Sequence, residues 1–218
     1  MKTNRVFAAS LLAANFRCFS EAVESVNNTA ADWLHLDIMD GNFVPEITFG
    51  AQLVSQIRTL STKPFDVHLM VENPGRHIRR FADSGADLIT VHYEQNPELL
   101  KQLSLIRELG KKAGVAVKPE TAPENLPAEV LSAADLILIM TVEPGYGGQK
   151  LMKDCLEKVD YLSQIREKRG YTYYISIDGG VNRDTFGIIR DKDVDVLVAG
   201  SAFFGSEDRE AEVRFFKS

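Results

Sequence analysis

Histidine and aspartate alternate in two short segments of the chain, and a further aspartate precedes a pair of glycines. His35 and Asp37 are two residues apart, as are Asp66 and His68, and Asp178 is followed by Gly-Gly. Side chains two apart in an extended segment point to the same side of the strand, so each pair faces one direction. Two imidazoles and two carboxylates that converge from three strand ends suit a divalent cation such as Zn²⁺, Fe²⁺, Mn²⁺ or Co²⁺.

Each of these residues also has a structural interpretation. A single histidine at a strand end more often forms an ordinary hydrogen bond than a metal bond, and Asp178 with its glycines is also typical of a tight turn. The combination of His35 and Asp37 with His68 at a matching strand end favours the metal site. The spacing alone leaves both interpretations open.

The other histidines and the methionines receive structural predictions. His92 ends the fourth predicted strand, and we expect it to form hydrogen bonds on the rim without a functional partner two residues away. His77 lies beside three arginines, which is typical of a solvated helix face. Methionines at strand ends usually fill the core, but here they would lie beside the proposed metal. They are Met39, Met70 and Met140.

A second group of residues, rich in glycine, follows the last three predicted strands. Residues 143–149 read Glu-Pro-Gly-Tyr-Gly-Gly-Gln, and later segments contain Gly179-Gly180 and Gly200-Ser201. Glycines let backbone N–H groups approach an anion closely, and barrels often bind phosphate at the loops after strands 7 and 8. One glycine pair is more typical of a turn, whereas three such segments in succession favour a phosphate-binding site.

The elements that must position these residues follow from the hydrophobic pattern. Short apolar runs rich in Val, Ile and Leu alternate with longer segments of helical period. Strands are predicted at residues 6–10, 33–38, 65–71, 88–92, 115–118, 136–141, 173–178 and 196–199. Helices are predicted at residues 21–28, 52–60, 76–84, 98–112, 124–132, 155–168, 183–190 and 208–217. This alternation indicates βαβ units and a parallel sheet.

Eight such units predict an α/β fold of the (β/α)8, or TIM-barrel, type. The chain has 218 residues, and barrels of this kind usually take about 200–250. The alternative, an open doubly wound sheet, usually carries a glycine-rich turn after its first strand, where this chain has Leu-Leu-Ala-Ala-Asn. Since no Pro/Gly/Ser-rich linker interrupts the pattern, we predict a single domain over residues 1–218.

Composition excludes several classes of function. The net charge of −6 argues against nucleic acid as a partner, because phosphate-binding surfaces are normally basic. No apolar run approaches the ~18 residues that a membrane-spanning helix needs, and the start of the chain lacks the pattern of a secretory signal. Cys18 and Cys155 are far apart and indicate no disulfide framework. We therefore expect a cytoplasmic protein.

Long segments of the chain resemble the ribulose-phosphate 3-epimerase family, in the family's order and from end to end. They are residues 10–16 (SLLAANF), 35–45 (HLDIMDGNFVP), 66–71 (DVHLMV), 140–149 (MTVEPGYGGQ), 178–181 (DGGV) and 199–201 (AGS). The resemblance implies a barrel of the ribulose-phosphate-binding type. It also implies an isomerase of carbohydrate metabolism, in the pentose phosphate pathway, that interconverts D-ribulose 5-phosphate and D-xylulose 5-phosphate at C3 through an enediolate.

The resemblance also implies roles for individual residues. One divalent ion would be bound by His35, Asp37, His68 and Asp178. Asp37 and Asp178 would in addition act as acid and base on opposite faces of the substrate. Ser10 and His68 would contact the sugar, and Met39, Met70 and Met140 would line the site. The residues implied at the phosphate end are Gly145, Tyr146, Gly147, Gly148, Gly179, Gly180, Gly200 and Ser201. A homo-oligomer is expected.

Three other activities fit parts of this pattern. An epimerase of D-allulose 6-phosphate would share the motifs, although that branch tends to carry serine where this chain has Gly180. A hexulose-phosphate synthase or decarboxylase on the same barrel would want a lysine among the strand-end carboxylates, which strands 2, 3 and 7 do not offer. A barrel that binds a sugar phosphate or a protein without turnover would not need the complete acid, base and ligand set.

The chain departs from the commonest family pattern at a few positions. Ala9 stands where a proline usually precedes the serine, and residues 118–121 read Lys-Pro-Glu-Thr. Residues 191–195 replace a segment of smaller residues, and the last helix is short. Glu120 is shared with a minority of hexulose-active relatives and weakens the preference for a pentulose. None of these departures removes a predicted ligand or catalytic group.

Overall fold

A computed structural model describes residues 5–94 and 96–218. The strands are β1 (Val6–Ser10), β2 (Trp33–Met39), β3 (Phe65–Met70), β4 (Leu88–His92), β5 (Lys112–Val117), β6 (Leu136–Met140), β7 (Tyr174–Asp178) and β8 (Val196–Ala199). The helices are α1 (Phe19–Asn27), α2 (Ala51–Arg58), α3 (Ile78–Asp83), α4 (Leu99–Glu108), α5 (Ala128–Ala133), α6 (Leu156–Arg169), α7 (Arg183–Ile189), α8 (Ser201–Phe204) and α9 (Arg209–Lys217). None of the helices in these two ranges is long and apolar enough to cross a membrane.

The eight strands form one closed parallel barrel. Each strand pairs with its neighbour in sequence, and β8 pairs in parallel with β1 through Val6 and Val196. Helices connect the strands on the outside, as the right-handed βαβ crossover requires. The predicted TIM-barrel fold is confirmed.

The pleat of each strand divides the apolar core into two regions. In β6, Ile137 and Ile139 belong to the large core between the sheet and the helices. Leu136, Leu138 and Met140 belong to a separate cluster inside the barrel. Because successive side chains of a strand point to opposite faces, an unbroken apolar run such as Leu-Ile-Leu-Ile-Met fills both regions. The same alternation aims the polar residues of β2 and β3 into the barrel.

The short last helix, α9, covers β1 at the point where the barrel closes. Phe216 is fully buried, and its ring lies 5.6 Å from that of Phe7. Asp208 begins the helix by accepting a hydrogen bond from the backbone N–H of Ala211, which satisfies one of the free donors at the helix start. Although this helix is short, the barrel is closed.

Several predicted boundaries were wrong. The fourth helix ends at Glu108 instead of residue 112, since Gly110 adopts a φ of +74° that ends the helix and lets β5 begin at Lys112. The fifth helix begins at Ala128 instead of residue 124, because Pro127 cannot continue a helix that starts earlier. The four-residue helix α8 after β8 was not predicted.

Candidate active site

The pairing of β2 with β3 sets the positions of the reactive side chains. His35 lies opposite Asp66, and Asp37 lies opposite His68. Because both strands point these residues into the barrel, all four side chains meet near its carboxyl end. Asp178 reaches the same place from the end of β7. One ligand atom from each of His35, Asp37, His68 and Asp178 lies within 4.8 Å of the others.

Asp37 is the centre of this cluster. Its Oδ1 is 3.2 Å from Nε2 of His35 and 3.1 Å from Nδ1 of His68. Its other oxygen, Oδ2, accepts a hydrogen bond of 2.7 Å from the hydroxyl of Ser10. Asp178 Oδ2 lies 3.7 Å from Nε2 of His35. Both imidazoles are fully buried, so their nitrogen atoms meet these partners in place of water.

The outer nitrogen of each imidazole has a partner that fixes how the ring is turned. Nδ1 of His35 is 2.7 Å from Oδ2 of Asp66, and Nε2 of His68 is 3.0 Å from Nε2 of His92. A carboxylate only accepts hydrogen bonds, so His35 donates its Nδ1 proton to Asp66. Neutral His35 then keeps a lone pair on Nε2, directed at Asp37 and Asp178.

The arrangement of these groups fits a cation. The lone pair of His35 and the oxygens of Asp37 and Asp178 face one another, and all of them are hydrogen-bond acceptors. Positive charge is needed between such groups, as a proton or as a metal ion. Burial lowers the pKa of His35, but the charges and hydrogen bonds of Asp37 and Asp66 outweigh burial and raise that pKa well above its usual value. The cluster therefore favours positive charge at this point.

The two aspartates of the cluster have opposite tendencies to hold a proton. Burial raises the pKa of Asp37, but the charge of His35 and hydrogen bonds from both imidazoles prevail and hold that pKa well below its usual range. Burial, assisted by the charge on Asp37, raises the pKa of Asp178 to about 6. Two carboxylates that share a small site separate in this way. One is suited to remain ionised and the other to carry a proton.

A cleft opens above the aspartates. Asp37 and Asp178 line it, whereas His68 is fully buried and is not among its lining residues. The predicted sugar-contacting and methionine residues that line the cleft are Ser10, Met39, Met70 and Met140. The predicted phosphate-end residues all line it as well: Gly145, Tyr146, Gly147, Gly148, Gly179, Gly180, Gly200 and Ser201.

Glycine is required where two of these loops approach each other. Gly179 and Gly180 have φ values of +116° and +68°, which side chains rarely adopt. A Cβ on Gly179 would lie 2.4 Å from the side chain of Val142, and one on Gly180 would lie 2.4 Å from the backbone N of Leu151. Beside the cleft, the backbone of Gly179 therefore packs against the Val142 side chain, and that of Gly180 packs against the backbone of Leu151.

Two residues that contact the cluster, Asp66 and His92, were missed or misplaced by sequence reasoning. Asp66 was noted for its spacing but given no role, although it holds His35. His92 was predicted on the rim without a partner two residues away, and this was wrong: it is buried, and Glu94 is that partner, with Oε2 3.0 Å from Nδ1 of His92. The alternation His-x-Glu was visible in the sequence and is the same signal that identified His35 and Asp37.

The fold and the cluster together define the class of protein: a TIM barrel with a cation-type His/Asp cluster below a cleft lined by glycine-rich loops. Solved structures share this barrel. A KGPDC from Streptococcus mutans, in complex with D-R5P, superposes with a TM-score of 0.72 at 17% identity, covering 98% of this chain and 95% of that one. A 3-hexulose-6-phosphate synthase superposes with a TM-score of 0.67 at 17% identity, covering 97% and 99%. At such low identity the likeness shows the fold alone.

Sequence comparison identifies the family. Residues 6–204 match the model of the ribulose-phosphate 3-epimerase family. The chain is 40% identical to the ribulose-phosphate 3-epimerase of Aquifex aeolicus, covering 98% of this chain and 96% of that one. It is 41% identical to the enzyme of that name from Bacillus subtilis, covering 94% and 95%. The chain belongs to the ribulose-phosphate 3-epimerase family and is an epimerase, as its motifs predicted.

Proposed function

We propose that this enzyme is a metal-dependent 3-epimerase that interconverts D-ribulose 5-phosphate and D-xylulose 5-phosphate. The observation that carries the proposal is the pair formed by Asp37 and Asp178. The two carboxylates line one cleft, share one cation-type cluster and differ in their affinity for a proton. Inversion of a carbon beside a carbonyl needs one group to remove a proton and another to deliver one, and these residues provide both.

His35, Asp37, His68 and Asp178 would hold the divalent ion. Such an ion, when bound, supplies positive charge to the enediolate that develops as the proton leaves. Zn²⁺, Fe²⁺, Mn²⁺ and Co²⁺ all accept two imidazoles and two carboxylates. The residues around the ligands restrict their motion, since Asp66 holds His35 and Ser10 holds Asp37.

Asp37 and Asp178 would exchange protons with C3 from opposite faces of the substrate. The carboxylate that is ionised removes the C3 proton, and the protonated one delivers a proton to the other face. The roles reverse in the reverse reaction, so the two residues must begin each turnover in opposite protonation states. A pKa of about 6 for Asp178 lies near neutral pH, where proton transfer in both directions is fastest.

The glycine-rich loops would hold the phosphate and thereby set the length of the sugar. Glycine residues of the loops after β6, β7 and β8 line the cleft, and glycines let backbone N–H groups approach an anion closely. With the carbonyl end held at the cluster, a further carbon would displace the phosphate from its donors. Hydrogen bonds to charged groups contribute about 1.5–3 kcal/mol each, and every 1.4 kcal/mol changes a rate about tenfold. We therefore propose a five-carbon substrate.

A side-by-side measurement of kcat/KM tests the substrate. Ribulose 5-phosphate and allulose 6-phosphate would be assayed with the same metal-loaded protein. Loss of one or two phosphate contacts lowers kcat/KM for the six-carbon sugar by about ten- to ten-thousand-fold. A higher value for allulose 6-phosphate would instead assign the protein to that alternative epimerase. The single domain over residues 1–218, the homo-oligomer and the cytoplasmic location stay predictions from the sequence.

A further inference from the structure

A chain of contacts, buried at His68 and partly buried at Glu94, leads from His68 to the loop that follows β5. Nε2 of His68 lies 3.0 Å from Nε2 of His92, and Nδ1 of His92 lies 3.0 Å from Oε2 of Glu94. The other oxygen of Glu94 accepts hydrogen bonds from the backbone N–H of Lys118, at 2.8 Å, and from the hydroxyl of Thr121, at 2.5 Å. This arrangement, which we call the His92 chain, involves no residue of the proposed acid/base pair.

The partners in the His92 chain leave one placement of its protons. Glu94 as a carboxylate can only accept, so Nδ1 of His92 carries the proton that faces it. Neutral His92 then has its lone pair on Nε2, and the proton in the contact with His68 must come from Nε2 of His68. The lone pair of His68 is therefore on Nδ1, which points at Asp37 from 3.1 Å. That is the tautomer a metal ligand needs.

The loop that binds Glu94 is held by a buried lysine. Nζ of Lys158 donates hydrogen bonds of 2.7 Å to the backbone carbonyls of Lys118, Pro119 and Thr121. These contacts fix the loop whose backbone N–H at Lys118 and side-chain hydroxyl at Thr121 donate to Glu94. One oxygen of the Glu94 carboxylate therefore accepts from the loop and the other accepts from His92. The loop after β5 forms the end of the His92 chain that lies farthest from His68.

We propose that His92 and Glu94 are positioning residues that select the tautomer and the ring orientation of His68 for the divalent ion. The inference rests on the proposed metal site and adds two residues to it. Packing alone would not do the same. The rings of Phe43 and His68 lie 4.6 and 5.0 Å from that of His92, and such contacts orient a ring without choosing which nitrogen carries its proton.

Two substitutions test the His92 chain. Glu94→Gln replaces the carboxylate with an amide, whose NH2 must face either the donors of Lys118 and Thr121 or Nδ1 of His92. If the NH2 faces His92, Nδ1 of His92 must accept and its Nε2 must donate to His68. The tautomer of His68 is then reversed. His92→Phe keeps a ring of similar size but removes the acceptor for Nε2 of His68. Thr90→Val is the matched control, because Thr90 lies on the same strand, is fully buried and has no hydrogen-bond partner for its hydroxyl among residues 5–94 and 96–218.

The first readout is the affinity of each folded protein for Zn²⁺ and Co²⁺, measured by competition with a chelator. Loss of a partner behind a ligating histidine typically weakens metal binding about 10- to 100-fold. We expect that loss in Glu94→Gln and His92→Phe, with wild-type affinity in Thr90→Val. Thermal melting of the chelated proteins shows which variants fold, and if Glu94→Gln does not fold, His92→Phe decides.

The second readout is the proton NMR spectrum of the cobalt-loaded protein, in which ring N–H protons of ligating imidazoles are shifted far from other signals. The signal from His68 should move or exchange faster with solvent in His92→Phe, while the signal from His35 stays unchanged. Wild-type affinity and an unchanged His68 signal in both variants would overturn the inference. A wild-type protein that binds neither metal would instead overturn the proposed metal site.

Discussion

The two halves of the barrel interior are built from equivalent strand positions but carry opposite chemistry. Four inward side chains of β2 and β3 are polar and buried: His35, Asp37, Asp66 and His68. Four inward side chains of β5 and β6 are apolar: Ala116, Leu136, Leu138 and Met140. Because the backbone is the same in both halves, the barrel itself does not require polar residues at these positions. The polar half is a cost to stability that hydrogen bonds, and in our proposal a metal ion, must offset.

This comparison predicts that the effects of substitutions on function and on folding can be separated. A change in the polar half should impair metal binding or turnover more than folding, and a change in the apolar half should do the reverse. The following predictions test that division, beginning with the largest expected effect.

The largest effect is expected from removing either member of the proposed acid/base pair. Asp37→Asn and Asp178→Asn should each abolish epimerisation, since proton transfer by a positioned group contributes about 10²–10⁴-fold and each direction uses both. Turnover is measured with ribulose 5-phosphate, and the same variants are incubated with substrate in deuterium oxide. We expect exchange of the C3 proton from one face without inversion. Near-wild-type turnover in either variant would show that the two-base assignment is wrong.

The next prediction compares one buried residue from each half. Leu138→Ala should lower the free energy of unfolding by about 2–5 kcal/mol through the cavity it leaves, while the folded protein still binds metal stoichiometrically. His68→Ala should lose stoichiometric metal. Denaturant unfolding and metal analysis of both variants check this. If Leu138→Ala lost metal while His68→Ala retained it, the two halves would not be separable.

A smaller effect on metal affinity is expected from changing Asp66, the hydrogen-bond partner of His35. Asp66→Asn replaces the carboxylate that accepts the Nδ1 proton of His35 at 2.7 Å. We expect metal affinity to fall about 10- to 100-fold, because the ring loses its charged acceptor and its fixed orientation. Competition with a chelator measures the change. Unaltered affinity would show that packing alone orients His35.

Metal affinity should also depend on pH in a defined direction. Burial lowers the pKa of His35, but Asp37 and Asp66 raise it well above the usual value of 6.5, and the metal requires the neutral imidazole. The proton of His35 therefore competes with the metal below that raised pKa and leaves as pH rises through it. Apparent affinity should increase with pH across the neutral range. A flat profile, or one that falls, would contradict this order of protonation.

The smallest effect is expected at Ser176, inside the barrel. Its buried hydroxyl forms no hydrogen bond with any residue that the structure describes, so Ser176→Ala removes an unsatisfied group at little cost. The free energy of unfolding should change by at most about 1 kcal/mol, with metal affinity unchanged. A large loss of either quantity would reveal a role for Ser176 that its contacts do not indicate.

The barrel could be predicted because short apolar runs such as that of β6 alternate with segments of helical period. The reactive residues also fall at the ends of the predicted strands. Sequence reasoning placed His35, Asp37, His68 and Asp178 on converging strands, and the structure brings them within 4.8 Å of one another. It could not give the register of β2 against β3, which sets Asp66 beside His35. Register depends on pairing between distant segments, so the role of Asp66 emerges only from the folded barrel. The alternation of His92 with Glu94 was visible in the sequence, but their contact with His68 was not.

The central claim is that catalysis depends on one bound metal ion. Measuring metal content and activity in the same sample tests it most directly. Protein would be chelated exhaustively, assayed on ribulose 5-phosphate, and then titrated with Zn²⁺, Fe²⁺, Mn²⁺ or Co²⁺. We predict that activity falls with the bound metal and returns as one equivalent is restored, because His35, Asp37, His68 and Asp178 each offer one ligand atom within 4.8 Å of the others. Full activity in protein that holds no metal would contradict the account.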